Sequence, residues 1–95
     1  MRFYVYIICS LLDGSYYKGF TEDPLVRLQA HNNKESTYTS SKVPWTLVYI
    51  EIFESKREAL IREKAVKKYG YERIQRLISS PKNSLKKLDR LKGSM

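Results

Sequence analysis

Five polar side chains in the first two thirds of the chain carry the groups needed to hydrolyse a phosphodiester. A tyrosine hydroxyl or an imidazole can move a proton, a guanidinium can hold a phosphate, and a carboxylate can bind a hard metal cation. These groups belong to Tyr6, Tyr17, Arg27, His31 and Glu63. They are distant from one another in sequence, so the fold has to bring them together.

The two tyrosines lie in a predicted β-hairpin. Residues 3–9 are rich in β-branched and aromatic side chains, which favour a strand. An Asp-Gly turn signal follows, and residues 15–20 predict a returning strand that ends near Gly19. Tyr6 and Tyr17 should then lie opposite or diagonal to each other, and the register of the loop decides which.

Arg27 and His31 lie in a predicted helix. Thr21 is the expected N-cap, and Pro24 suits the first helical turn. The helical pattern continues to about Asn32. Because Arg27 and His31 are four residues apart, their side chains should share one helix face.

A third strand is predicted over residues 46–53, after a polar Ser- and Thr-rich loop over residues 33–42. We expect it to be the central or most buried strand. Its alternation divides its side chains between the two faces of the sheet. One face should carry Leu47, Tyr49, Glu51 and Phe53, and the other Val48, Ile50 and Ile52.

Two further helices follow this strand. Ser55 should cap the first of them, with Glu58 at the third position of a capping box. This helix should end near Tyr69, with Gly70 as its stop. Residues 71–79 predict a shorter helix that a proline then breaks.

Together these elements predict one α+β domain, with the order β-β-α-β-α-α, over residues 1–80. Residues 81–95 are predicted to be a basic C-terminal tail. Its leucines recur at three-residue spacing, at Leu85, Leu88 and Leu91. The tail could therefore form a short amphipathic helix or stay loose.

Composition places the chain among small globular proteins. It has 95 residues, of which 42% are hydrophobic, so one modest core is expected. Cys9 is its one cysteine, which excludes an intrachain disulfide and favours a reducing compartment. No apolar stretch approaches the roughly 20 residues of a membrane span. We expect a soluble cytoplasmic protein with no membrane association.

The charge is unevenly distributed along the chain. The net charge is +8, yet residues 1–54 carry five Lys and Arg against six Asp and Glu. Residues 55–95 carry thirteen against four. A basic half of this kind favours a polyanionic partner, most often nucleic acid, over a merely solvated basic surface.

Glu63 is the most unusual residue of the predicted second helix. Its neighbours at three and four residues are Ala59, Leu60, Val66 and Lys67, so its carboxylate lies in or beside an apolar stripe. A carboxylate buried there needs a cation, which could be Lys67 or a bound metal ion. An ordinary surface pair between Glu63 and Lys67 is the alternative.

Short motifs along most of the chain resemble one known family. In order, they are Tyr4-Val5-Tyr6, Tyr17-Lys18-Gly19, Arg27, His31-Asn32, Tyr38-Thr39, Pro44, Glu58-Ala59-Leu60 and Arg62-Glu63-Lys64. Their order and spacing resemble the GIY-YIG nuclease superfamily, and within it the small single-domain bacterial branch. The resemblance runs from about residue 3 to residue 78.

The resemblance implies a three-stranded antiparallel sheet flanked by helices, and an endonuclease that uses one divalent ion, Mg²⁺ or Mn²⁺. By resemblance, Tyr6 and Tyr17 face the scissile phosphate. Arg27 stabilises phosphate charge, and His31 relays a proton. Glu63 is the sole protein ligand of the metal.

Other residues are expected to contact nucleic acid. The expected nucleic-acid-binding residues are Lys18, Tyr38, Thr39, Lys42 and Lys67. A loop-anchoring role for Tyr38 and Thr39 is about as plausible, and Gly19 should serve backbone geometry at the strand end. The chain departs from the family by lacking the glycine that often follows the His31-Asn32 pair.

Three functions remain open at this stage. The first is a metal-dependent endonuclease that hydrolyses DNA, in repair or on branched or single-stranded structures. The second is a nucleic-acid-binding module of the same fold that lacks efficient turnover or needs a protein partner for specificity. The third is an interaction domain whose basic half binds an acidic protein. The complete set of five site residues favours the endonuclease.

Overall fold

The computed structural model describes residues 1–87. These residues form a three-stranded antiparallel sheet with helices on both faces. The strands are β1 (Phe3–Ser10), β2 (Tyr16–Thr21) and β3 (Trp45–Phe53), and the helices are α1 (Pro24–Asn32), α2 (Lys56–Val66) and α3 (Tyr71–Ile78). The predicted α+β class and element order are confirmed. Leu88 and Leu91 of the predicted tail lie outside the described residues.

The strand order is β2-β1-β3, so β1 is the central strand. The prediction that β3 is central is wrong. Side chains on both faces of β1 are buried, among them Val5 and Ile7 on one face and Tyr6 and Ile8 on the other. A strand buried on both faces suits the middle of a sheet covered by helices on each side.

A β-bulge interrupts β3. Ile7 of β1 pairs with Tyr49, but the next residue, Ile8, pairs with Leu47, which leaves Val48 as an extra residue. Leu47 therefore packs on the α1 face of the sheet and Val48 on the face covered by α2 and α3. The predicted faces are wrong for these two residues and correct for the rest of the strand, because the bulge shifts the alternation by one residue.

The N-caps of α1 and α2 differ in how well the sequence predicts them. Ser55 caps α2 as predicted, since its side chain accepts a hydrogen bond from the Glu58 amide at 3.2 Å. Asp23, and not Thr21, caps α1, with Oδ1 accepting from the Val26 amide at 3.2 Å. Thr21 instead accepts from the Asp23 amide at 3.1 Å, one step before the helix.

The end of α2 is also corrected. The helix ends at Val66, and a turn follows in which the Tyr69 amide donates to the Val66 carbonyl. Gly70 does not stop this helix, because it has an ordinary φ of −75° and occupies the N-cap position of α3. The chain thus passes from α2 to α3 through a tight turn.

A Schellman motif ends α1. The Lys34 amide donates to the His31 carbonyl and the Glu35 amide to the Ala30 carbonyl, both at 3.0 Å. Lys34 adopts the left-handed φ of 61° that this motif requires. This is the turn in which the family pattern often has a glycine.

Each face of the sheet has its own core. On one face, Leu25 and Leu28 of α1 and Leu85 pack against buried β1 side chains and Trp45. On the other face, Val66 of α2 and two residues of α3 pack against the sheet; those α3 residues are Ile74 and Leu77. The two cores fix α1 and α2 on opposite sides of β1.

Residues after α3 lie along the outer edge of β3. Asn83 accepts from the Ile50 amide at 3.3 Å and donates to the Val48 carbonyl at 2.9 Å. The Ser84 amide donates to the Ile50 carbonyl at 2.8 Å. These bonds satisfy edge groups of the sheet that would otherwise be unpaired. No helix described between residues 1 and 87 has the length and apolarity to cross a membrane.

Candidate active site

A buried hydrogen-bonded chain links three elements at the centre of the site. Tyr6 Oη on β1 lies 2.8 Å from His31 Nε2 on α1. His31 Nδ1 lies 2.7 Å from Thr39 Oγ1 in the following loop. The exposed fractions of Tyr6 and His31 are only 1% and 0%. His31 is therefore held by both ring nitrogens, and it contacts the rest of the site through the Tyr6 hydroxyl.

The loop that carries Thr39 is anchored to α1 by Asn32 and Trp45. Asn32 donates to the Trp45 carbonyl at 3.0 Å and accepts from the Trp45 amide at 2.6 Å. The Trp45 indole donates to the Thr39 carbonyl at 3.0 Å. The sequence motifs did not assign this anchoring role to Asn32, although its position next to His31 could have indicated it. These bonds hold Thr39 under the imidazole.

Gly19 makes room for Tyr6. The register pairs Tyr6 with Gly19 and places Tyr17 diagonally, which settles the alternatives left open by the hairpin loop. A Cβ on Gly19 would lie 2.6 Å from Tyr6 Oη, closer than real side chains approach. Glycine at this position therefore allows the Tyr6 ring to lie across β2. The Tyr17 ring lies 6.4 Å from that of Tyr6 and 5.1 Å from that of His31.

Three of the other candidate residues act electrostatically on the Tyr6 hydroxyl. Burial is the largest of the effects that together raise the pKa of Tyr6 to about 12, and the nearby Arg27 guanidinium opposes it. The negative charge of Glu63, and that of Tyr17 when it is ionised, acts in the same direction as burial. The fold thus brings Tyr17, Arg27 and Glu63 close enough to Tyr6 to influence its proton, while His31 is bonded to it directly.

His31 is neutral at physiological pH. Burial, with a smaller effect of the nearby Arg27 guanidinium, lowers its pKa to about 4. A neutral imidazole has one nitrogen that donates and one that accepts. One of its two contacts, Tyr6 or Thr39, must therefore donate to it.

Glu63 is less exposed than an ordinary surface carboxylate. Its side chain is 18% exposed, and Oε2 lies 3.3 Å from Lys67 Nζ. The predicted pair with Lys67 is thus present, but on a largely buried carboxylate. Within residues 1–87, no group of three or more His, Cys, Asp and Glu side chains could hold a metal ion. A metal here would have Glu63 as its protein ligand and would fill its other positions with water and phosphate, as Mg²⁺ commonly does.

A groove of about 510 Å³ lies beside this centre; we call it the catalytic groove. Its lining includes all five predicted nucleic-acid-binding residues, namely Lys18, Tyr38, Thr39, Lys42 and Lys67. Of the five candidate site residues, Tyr17 lines the groove, and its ring lies 5.1 Å from that of His31. Tyr6 and His31 are buried and do not line the groove.

The groove residues differ in how free they are to meet a ligand. Tyr38 is 83% exposed. Lys42 pairs with Asp13 at 2.7 Å, and Lys18 donates to the Tyr69 carbonyl at 3.3 Å. Thr39 is buried, with its hydroxyl engaged by His31, so its contact in this structure is with the imidazole.

Comparison with known proteins agrees with this geometry. The family model described as the GIY-YIG catalytic domain matches residues 2–74. The chain belongs to the GIY-YIG family. The resemblance inferred from the sequence motifs is thereby confirmed, and membership of this family supports a nuclease-type function and an interaction with nucleic acid.

Several relatives of this GIY-YIG protein are small bacterial proteins. The UPF0213 protein of Staphylococcus aureus strain Mu3 is 43% identical over 77 residues, which cover 79% of this chain and 92% of that protein. A UPF0213 protein of Staphylococcus saprophyticus is 39% identical, with 82% and 95% covered. The solution NMR structure of a UPF0213 protein from Bacillus halodurans is 33% identical, with a TM-score of 0.56 over 99% of this chain and 100% of that one.

Proposed function

We propose that this protein is an endonuclease that hydrolyses phosphodiester bonds of DNA with one bound divalent ion, Mg²⁺ or Mn²⁺. One observation carries the proposal: the buried Tyr6 hydroxyl is hydrogen-bonded to His31, with the Tyr17 ring beside it. Arg27 and Glu63 lie near enough for their charges to influence the pKa of that hydroxyl. Packing alone has no need of a buried arrangement that joins a proton acceptor, a guanidinium and a carboxylate.

The proposed proton path runs from water to Tyr6 and then to His31. Because His31 is neutral and bonded to Tyr6 Oη, it can accept the proton that the hydroxyl loses. Thr39 would hold the imidazole in the tautomer whose Nε2 carries the lone pair. A tyrosine with a pKa near 12 keeps its proton at neutral pH, so it can take a proton from water only as it passes its own to such an acceptor.

Phosphate charge would be offset by Arg27 and by a metal held on Glu63. The Arg27 guanidinium already lowers the pKa of Tyr6, so its positive charge lies where an anionic phosphate would approach. When bound, the ion would supply further positive charge to the phosphoryl oxygens and the leaving group. To hold the ion, Glu63 must break its ion pair with Lys67. Lys67 lines the groove, where its ammonium could pair with a phosphate instead.

Groove residues point to DNA with unpaired bases, such as repair intermediates or branched structures. Lys18, Lys42 and Lys67 can neutralise backbone phosphates. The largely exposed Tyr38 ring lies 6.0 Å from that of Tyr17, and such a ring can stack on an unpaired base. A duplex offers no free base face, so we expect flapped or single-stranded DNA to be the better substrate.

The burial of Tyr6 and His31 favours a second candidate function. With exposed fractions of 1% and 0%, neither side chain lines the groove, and the Tyr17 ring, which does, would have to move for a substrate to meet them. A binding module that cuts only when a partner protein shifts Tyr17 would also have this arrangement. The endonuclease proposal requires instead that the substrate alone moves the Tyr17 ring.

The test is cleavage of labelled single-stranded, duplex, flapped and branched DNA with Mg²⁺ or Mn²⁺, with EDTA as the metal-free arm. Wild type is compared with Glu63→Gln, and Glu58→Gln on the same helix is the matched control because its side chain is exposed. We expect metal-dependent cleavage that Glu63→Gln lowers at least a hundredfold and that Glu58→Gln leaves within about twofold.

Two results would contradict the proposal. Cleavage that persists in EDTA or in Glu63→Gln would remove the assigned metal ligand. Salt-sensitive DNA binding with no cleavage of any substrate would favour the binding module. Cleavage would then have to be measured with a partner protein present.

A further inference from the structure

The basic half of the chain is hardly used by the catalytic groove. Residues 55–95 contain thirteen Lys and Arg, yet only Lys67 among them lines the groove. Four others surround a separate cleft of about 280 Å³, which we call the arginine cleft. It is lined by Arg62, Tyr69, Arg73, Arg76, Leu77, Ser80 and Lys82. No acidic side chain lines it in the described part of the chain.

Two of its arginines are held in place by the Tyr69 ring. The Arg73 guanidinium lies 3.7 Å from the ring centroid, and that of Arg62 lies 5.8 Å from it. Arg62 also donates to Tyr69 Oη at 3.2 Å and to Glu51 at 3.0 Å. A guanidinium that is already ordered loses less entropy when it binds a phosphate with its planar fork.

The other two cationic side chains of the cleft have no protein partner among the described residues. Arg76 and Lys82 are both exposed, and neither side chain makes a hydrogen bond or ion pair within residues 1–87. The cleft therefore combines two ordered guanidinium groups, of which that of Arg62 is paired with Glu51, with two free cations. One neutral aromatic ring lies among them. This composition suits the phosphates of a polyanion better than a single small anion.

A third pocket shares residues with both the cleft and the catalytic groove. Lys18, which lines the groove, donates to the carbonyl of Tyr69, which lines the cleft. The third pocket is lined by both of these residues and by Tyr16 and Tyr71. The part of the chain that the structure describes extends 32 Å along its longest axis, about the length of 10 base pairs at roughly 3.4 Å each, so one DNA backbone can reach both sites.

We infer that the arginine cleft is a second binding site for nucleic-acid phosphates, which holds the DNA backbone outside the catalytic groove. The inference rests on the proposed function in taking DNA as the ligand, but the binding needs no catalysis. It gives a role to Arg73, Arg76 and Lys82, which lie together at the cleft and do not line the catalytic groove. It also supplies affinity that the groove, with its partly engaged lysines, lacks.

The test compares DNA affinity in Arg76→Gln/Lys82→Gln with that in Arg57→Gln/Lys64→Gln. Each variant removes two exposed cations, and the control pair lies on the outer side of α2 in a depression that shares no residue with the cleft. Dissociation constants for a duplex of about 20 base pairs are measured by fluorescence anisotropy in EDTA over a series of salt concentrations.

We expect the cleft variant to lower the slope of log affinity against log salt by about 1.8, since each duplex phosphate contact contributes about 0.9. Its affinity at low salt should fall about tenfold or more, while the control changes the slope by less than about 0.5. Thermal melts of both variants check that the fold is retained. Equal effects of the two variants, or no effect of the cleft variant, would overturn the inference.

Two further outcomes separate this inference from its alternatives. Polyglutamate that binds as tightly as the duplex, and that is lost in the cleft variant, would replace DNA by an acidic protein and overturn the inference. DNA binding that depends on the cleft in a protein that never cuts supports the inference and contradicts the endonuclease. Cleavage that depends on Glu63, together with DNA affinity that the cleft variant leaves unchanged, supports the endonuclease and contradicts the inference.

Discussion

Gly19 shows how one residue can position a reactive group on another strand. The sequence predicts a backbone role for it, and its structural reason is the Tyr6 ring that crosses it. The motif around Tyr17 marks the glycine, but the sequence leaves the hairpin register open. The contact with Tyr6 could therefore be assigned only from the pairing of the strands.

Replacing Gly19 by alanine should displace Tyr6. The new Cβ would meet Tyr6 Oη at 2.6 Å and the ring carbons at 2.7 Å, and this ring is enclosed by the core. We expect the free energy of unfolding, measured by urea denaturation, to fall by about 2 kcal/mol. Cleavage should fall at least tenfold as the bond to His31 is lost.

Gly70→Ala is the control for this change. No atom lies within 4 Å of a Cβ built on Gly70, and its φ is −75°, so alanine fits there with a small capping cost of at most about 1 kcal/mol. If the two alanine variants were equally stable and equally active, the packing of Tyr6 against Gly19 would not matter.

Burial of His31 should make stability depend on pH. Its pKa is about 4 in the folded protein against 6.5 for the free group, so between these values the unfolded chain binds the extra proton. The free energy of unfolding should fall as the pH is lowered from 6.5 towards 4, by at most about 3 kcal/mol. Denaturant titrations at several pH values measure this.

The contribution of His31 to this pH dependence can be separated from that of other groups, because it is the one histidine of the chain. In His31→Gln the part of the pH dependence between 6.5 and 5 should disappear, although the variant is less stable throughout. The same slope in both proteins would mean that the imidazole is accessible to protons in the folded state.

At the scale of elements, local signals predicted the helices well and their boundaries less well. The N-cap of α2 is correct because Ser55 and the Glu58 amide that it caps lie three residues apart in sequence. Thr21 and Asp23 are both good N-cap types, and the choice between them depends on where the chain leaves β2. The bulge in β3 has no local signal, since Val48 is an ordinary strand residue and the extra position arises from pairing with β1.

Lys34→Gly should stabilise the end of α1. A lysine in the left-handed region is strained, whereas glycine adopts φ of 61° without a Cβ penalty. After the larger entropy that glycine loses on folding, the net gain in the free energy of unfolding should be about 0.5 to 1 kcal/mol by urea denaturation.

Asn33→Gly provides the contrast for this variant. Asn33 has a φ of −86°, so glycine relieves no strain and should lower the free energy of unfolding by about 0.5 kcal/mol. Two glycine variants that shifted stability in the same direction would show that the left-handed residue of the Schellman motif has no special cost.

For the whole molecule, pairing between distant segments is what the sequence left unresolved. Two strands joined by a short turn predict a hairpin, but nothing local says whether β3 pairs with β1 or with β2. The depth of burial on both sides of β1 follows from that choice. The five candidate site residues could be proposed from sequence because each stands in a family motif, whereas Arg62 is the one lining residue of the arginine cleft that does.

Asn83 should contribute to stability by closing the edge of β3. Its side chain bonds four backbone groups, which belong to Val48, Ile50, Ile78 and Leu85. Asn83→Ala should lower the free energy of unfolding by about 2 kcal/mol, because buried partners lose their bonds. Lys82→Ala, at an exposed neighbouring position, should change it by less than about 0.5 kcal/mol. Equal stability of the two variants would contradict this role.

The most direct test of the proposed reaction centre removes one oxygen from Tyr6. Tyr6→Phe keeps the buried ring, and Tyr49→Phe is its control, since Tyr49 is equally buried and its hydroxyl bonds Glu51 at 2.7 Å. Single-turnover cleavage of flapped DNA is measured with saturating Mg²⁺. We expect Tyr6→Phe to lose at least a hundredfold in rate with unchanged DNA affinity, and Tyr49→Phe to stay within about threefold. Equal rates for the two variants would contradict a centre built on Tyr6.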